Sequence, residues 1–126
     1  MIAKFIDRLS ENAPPVIYGD GEQTRDFTHI EDIVEAHVLA LDSKIAVGET
    51  VNIATGRSTR IDDLVKILAD IVGVAPPKPI YADTRHGDIR HSCGDITKAK
   101  KVLGYTPKFY LKEGLRSLSQ WHNSSI

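Results

Sequence analysis

Cysteine occurs once in this chain, at Cys93, so no internal disulfide can staple the fold and burial of a core has to stabilise it. Long apolar runs are missing as well. None approaches the roughly 18 residues of a membrane-spanning helix, so a bilayer is excluded as a partner on that criterion. Neither sign of charge dominates: 16 Lys and Arg stand against 17 Asp and Glu, a net charge of -1. The basic residues are scattered rather than striped, which leaves no field to hold a nucleic-acid backbone. The opening MIAKFIDRLSENAPP sets charges inside its apolar pattern, unlike a secretory leader, and the expectation is a cytoplasmic protein.

What is present fits one small domain. With 126 residues, 41% of them hydrophobic and 26% charged, the chain can bury about two thirds of its unfolded surface. Ile2, Phe5, Ile6 and Leu9 recur at helical spacing until Ala-Pro-Pro stops them. A short strand is expected at Val16–Tyr18, a glycine-punctuated turn at YGDGEQ and a second strand at DFTHI. Thr28 with Glu31 matches a capping box for a helix reaching about Leu41, with Ile33, Val34, His37, Val38 and Leu41 on its inner face. His37 then reads as a hydrogen-bonded core histidine. TVNIA reads as a third strand. A helix capped by Thr59 follows, carrying the stripe Ile61, Leu64, Val65, Leu68, Ile71 and Val72 and leaving through Gly73.

Beyond APPKP, a strand is expected at Ile80 and Tyr81, then an extended piece from Ile89 to Ser92. Asp95 caps a further helix ending at Gly104. Leu111, Leu115, Leu118 and Trp121 line the last helix, as core or as a docking surface, ahead of a frayed HNSSI tail. Strands alternating with helices predict an α/β fold: a small single lobe of short, partly parallel strands.

Two loops carry candidate chemistry, YGDGEQTRD and RHGD. Each sets a glycine, which allows close backbone approach, beside an arginine whose planar fork suits phosphate oxygens. Arg25 and Arg85 together can clamp a diphosphate. Equally, Arg25 can pair with Asp26 or Asp88 while the glycines merely serve turns. His86, His91 and Cys93 match no zinc spacing, and Lys98, Lys100 and Lys101 read as a solvated helix face.

The segments VIYGDGEQTRDFTHIEDIVEAHVLAL, GETVNIATGRSTRIDDLVKIL and RHGDIRHSCGDITKAKKVLGYTPKFYLKEGL, in this order, resemble the extended short-chain dehydrogenase/reductases. Within them the similarity is to NAD-dependent nucleotide-sugar epimerases and dehydratases, nearest to UDP-glucose 4-epimerase-like proteins. The resemblance implies that residues 1–126 are the C-terminal, substrate-binding lobe. It implies that Val16 and Tyr18 offer backbone groups and an aromatic wall to the base, that Arg25 and Arg85 reach the diphosphate, and that Asp88 takes a ribose hydroxyl. Gln23 and Asn52 occupy motif positions near the site, where a turn-stabilising role is an equal reading.

The resemblance also sets what this stretch is expected to lack. None of the nine glycines joins a strand to a helix as a Rossmann dinucleotide turn does. The family's general base is a tyrosine followed four residues later by lysine. Here Tyr18, Tyr81, Tyr105 and Tyr110 are followed at that spacing by Glu22, Arg85, Phe109 and Gly114. The expectation is a lobe lacking the Rossmann domain, with no catalytic or metal residue and no cofactor of its own, NAD belonging to the full-length family. It would bind a UDP-sugar weakly and be inactive alone, partnered by a separate Rossmann-domain chain or by a second copy. The alternative is a truncated lobe that serves as an assembly or interaction module without a ligand.

Overall fold

Asn12, the single non-glycine residue with positive φ among those described (54°), and the prolines after it end the first helix where the sequence predicts. The computed structural model describes residues 1–124, leaving aside the side chains of residues 123 and 124. Helix α1 (Ile2–Ser10) buries Phe5, Ile6 and Leu9, and strand β1 (Val16–Tyr18) buries Ile17. Strand β2 (Thr24–Arg25) and helix α2 (Ile30–Asp42) follow, then strand β3 (Thr59–Arg60) and helix α3 (Ile61–Val72). Strand β4 (Ile80–Ala82), helix α4 (Thr97–Leu103) and helix α5 (Leu111–Ser124) complete the order.

The sheets are minimal. β1 pairs parallel with β4, Val16 opposite Ile80 and Tyr18 opposite Ala82. β2 pairs antiparallel with β3, and His91 bridges the Thr24 backbone. The α/β lobe with partly parallel strands is thus observed.

Two apolar clusters form the interior. The larger joins α1, β1, α3 and α5 through Ile6, Leu9, Ile17, Leu64, Leu68 and Leu115. The smaller gathers Ala36, Ala54, Ile96, Ala99, Leu103 and Tyr105. Buried carboxylate oxygens fasten the loops between them. Asp32, 1% exposed, accepts from the Lys108 amide at 2.8 Å, and the Tyr105 hydroxyl donates to the Ala54 carbonyl at 2.9 Å.

Several expectations need correction. The second strand is Thr24–Arg25 rather than DFTHI, because Thr24 finds partners in both Arg60 and His91. The cap of α2 is His29, whose Nδ1 accepts from the Glu31 amide at 3.3 Å, one residue after Thr28. Helix α3 takes no side-chain cap from Thr59, which lies in β3. Its first amides are satisfied instead by the Gln23 and Gly21 carbonyls, at 3.0 Å from Ile61 and 3.1 Å from Asp62. TVNIA forms no strand: it belongs to neither of the two sheets found among the described residues.

The largest correction concerns α2. Its buried residues are Asp32 and Ala36, and the predicted inner face points outward: Val34 is 56% exposed, Val38 52% and Leu41 86%. His37 is exposed too, its Nδ1 lying 2.7 Å from the Ile33 carbonyl, so it is not a core histidine. Other expectations hold. Gly73 and Gly104 end α3 and α4 in left-handed conformation; the N-cap position of α4, however, is Ile96, and Asp95, one residue earlier, accepts from the Thr97 amide at 2.9 Å. Trp121 is 64% exposed and is not core. Of the HNSSI tail, His122 belongs to α5 and meets Asp7 at 2.6 Å, while Ser125 and Ile126 lie outside the described residues.

Candidate functional site

The turn after β1 places its residues by necessity of space. Gly21 has φ of 79°, and a Cβ there would sit 2.0 Å from Asp62 Oδ1, so only glycine lets this turn lie on the start of α3. The turn carries the chain from Tyr18 back to Arg25 beneath one cavity of about 490 Å³. Val16, Tyr18, Arg25, Arg85 and Asp88 all line it. Residues far apart in sequence therefore share one hollow.

Arg25 is held firmly. Its Nη2 donates to Asp88 Oδ1 at 2.6 Å and its Nη1 to the Thr24 carbonyl at 2.8 Å. Of the two partners the sequence offered for Arg25, the ion pair is with Asp88, not Asp26, and it forms part of the cavity wall. Arg85 has a different setting. Its guanidinium carbon stands 3.9 Å from the centroid of the Tyr18 ring, a cation–π stack. The phenol pKa is lowered from its ordinary value, chiefly by Arg85 and further by the charge of Lys4.

The backbone of β1 turns one edge to β4 and the other away from it. Ile80 donates to the Pro15 carbonyl and Gly19 to the Ala82 carbonyl, both at 2.9 Å, so the odd-numbered residues face β4. Val16 and Tyr18 turn their amides and carbonyls the other way. The Tyr18 carbonyl accepts from Gln23 Nε2 at 2.6 Å. Gln23 is 8% exposed, so the turn-stabilising role is observed, and it also lines the same cavity. Asn52 is exposed and does not line it.

Asp26, adjacent to Arg25, points away from the cavity and organises the loops. It accepts from Thr55 N at 3.0 Å, Thr55 Oγ1 at 2.5 Å, Gly56 N at 2.9 Å and Gly94 N at 3.2 Å. Burial raises its pKa, but these donors together outweigh burial and the net shift is downward. A Cβ on Gly94 would lie 2.3 Å from the Ala54 side chain, so glycine is required there too. Reading the sequence missed Lys4 and Arg8, which also line the cavity. Their helical spacing put them on α1, and nothing local showed that α1 borders the loop carrying Arg85.

A second hollow of about 610 Å³ lies around Thr55, Gly56, Arg57 and Lys100. There Arg57 stacks on Tyr110 at 4.7 Å, whereas the first cavity joins Arg8, Arg25 and Arg85 with the Asp88 carboxylate. A dinucleotide cofactor would need free amides at a glycine turn between strand and helix. The junction of β3 with α3 passes straight from Arg60 to Ile61, and its amides are occupied by Gln23 and Gly21. Among the described residues, this junction does not fit NAD.

Comparison with known proteins identifies the family. The sequence model of the family described as GDP-mannose 4,6 dehydratase matches residues 1–118. A putative UDP-glucose 4-epimerase of Methanocaldococcus jannaschii is 38% identical over 121 residues, covering 96% of this chain and 38% of that protein. The crystal structure of UDP-glucose 4-epimerase with UDP-glucose from Thermotoga maritima superposes with a TM-score of 0.90 at 38% identity, covering 98% of this chain and 39% of that one. The UDP-glucuronic acid 4-epimerase of Bacillus cereus, in complex with UDP-glucuronic acid and NAD, gives 0.92 at 31% identity, covering all of this chain and 40% of the other. The chain thus spans about two fifths of the length of such relatives. With its cavity, its order of motifs and 118 matched residues, it belongs to the NAD-dependent nucleotide-sugar epimerase/dehydratase family.

Proposed function

We propose that residues 1–126 form the substrate-binding C-terminal lobe of a UDP-sugar epimerase-like protein. The observation that carries this reading is the convergence of Arg25 and Arg85 on one cavity beside the edge of β1 that faces away from β4. In it, Val16 and Tyr18 receive the base along that edge and Arg85 slides from the Tyr18 ring to the diphosphate. Arg25 supports the same anion, while Asp88 keeps one oxygen for a ribose hydroxyl. The relatives whose structures hold UDP-glucose, or UDP-glucuronic acid with NAD, support the ligand class.

Acting alone, this stretch binds without turnover. None of its four tyrosines starts the Tyr-x-x-x-Lys pattern that the resemblance assigns to the general base, and a hydride acceptor is not held by its own residues. With one open wall the affinity for UDP is about millimolar, since association entropy offsets most of the contact energy. Calorimetry with UDP tests this. Measurable heat for the wild type and none for an Arg25→Ala, Arg85→Ala double variant supports the reading, and identical traces overturn it.

A second reading has its own observation. The outward face of α2, with Ile30, Val34, Val38 and Leu41 exposed, is the kind of apolar surface that pairs with other protein. It favours an assembly role, either for a separate NAD-binding chain or for a second copy. Sedimentation across a concentration series separates these: a persistent monomer argues against the second copy, and a dimer lost on substituting Val34 and Val38 supports it.

A further inference from the structure

The cavity holds more positive charge than the two arginines found from the sequence. Lys4 and Arg8, one helical turn apart on α1, face it as well, and Asp88 is its single lining carboxylate. Three of these four cations are already engaged. Arg25 is tied to Asp88 and to the Thr24 carbonyl, Arg8 Nε donates to the Pro14 carbonyl at 2.8 Å, and Arg85 lies on the Tyr18 ring. Lys4 is exposed on the first turn of α1 and enters no ion pair among the described residues. It is close enough for its charge, second to that of Arg85, to act on the Tyr18 phenol.

We propose that Lys4 is a third cationic contact for the diphosphate of the bound nucleotide, delivered to the cavity by α1. This rests on the nucleotide reading above and adds a residue to it. An ammonium on a four-carbon stem carries three donors and reaches a phosphate without a fixed approach angle, so it complements the planar, anchored Arg25. The remaining excess of cations over carboxylates makes the hollow selective for anions rather than for an uncharged sugar.

The test compares uridine, UMP and UDP binding to the wild-type chain, Lys4→Met and Lys4→Arg at one ionic strength. Lys4→Met weakens UDP roughly three- to tenfold, an effect of the size expected for one charge-assisted contact in a half-open site. It leaves uridine unchanged, and Lys4→Arg recovers most of the loss. Because Lys4 is exposed, the thermal melt of either variant stays at the wild-type position. Equal UDP affinity in wild type and Lys4→Met overturns the Lys4 assignment and leaves the nucleotide reading standing. Parallel weakening of uridine and UDP overturns it too, since the effect would then lie at the base. A wild-type chain that binds none of the three overturns the nucleotide reading itself.

Discussion

Asp26 shows how one residue can set a site without entering it. Its carboxylate gathers amides from Thr55, Gly56 and Gly94, and Gly94 ends the loop on which Arg85 and Asp88 sit. Asp26→Ala strips the acceptor from several half-buried donors and costs about 1–3 kcal/mol, readable in a urea melt. The pH dependence follows from the lowered carboxyl pKa. A depressed folded pKa stabilises above the unfolded value of about 3.9, and the contribution is lost as pH falls through the folded value. The stability gap between wild type and Asp26→Asn therefore narrows below about pH 4 and is flat from pH 5 to 7; a gap constant down to pH 2.5 contradicts this assignment. Gly21→Ala is a second residue-scale probe. Both the positive φ and the Asp62 carboxylate at 2.0 Å resist the new methyl, so the variant loses stability, by about 1–3 kcal/mol, together with nucleotide affinity.

At the scale of elements, periodicity told the truth about some helices and misled about one. Helix α3 was legible because its stripe is strong and its exit glycine takes left-handed geometry; Ile61, Leu64, Val65 and Leu68 are all buried. Leu68→Ala should cost about 2–5 kcal/mol by calorimetric or chemical melting. Helix α2 has a weaker apolar stripe, and the residues it buries are Asp32 and Ala36, about 200° round the axis from Val34 at 100° per residue. A stripe says that a face seeks cover, not that the same stretch of chain supplies it. TVNIA failed for a related reason: a strand is a property of a pair, and among the described residues this segment joins neither sheet despite its β-branched residues. The cap expected at Thr28 misses by a single residue, to His29, while the one expected at Thr59 fails for a distant reason. Backbone carbonyls from the Gly21 turn took the role assigned to Thr59, a contact across 38 residues that no window displays. Replacing Val34 and Val38 by lysine changes monomer stability by less than about 0.5 kcal/mol and abolishes any concentration-dependent association.

The whole molecule assembles one hollow, rich in cationic side chains, from α1, β1, the β2 entry and the loop after β4. The five residues inferred from motifs lie in it together, which individual spacings could not have shown. The lobe spans about two fifths of its relatives, belongs to their family, and has no helix, among the described residues, long and apolar enough to cross a membrane. Its central claim is that a uridine diphosphate seats against the Tyr18 edge between Arg25 and Arg85. The most direct measurement is a titration of the ¹⁵N-labelled chain with UDP, followed by amide chemical shifts. Saturable shifts confined to residues 16–18, 23–25 and 85–88 are the predicted result. Shifts centred on Thr55, Gly56 and Lys100, or a spectrum unmoved at 10 mM ligand (roughly ten times the expected Kd), would contradict it.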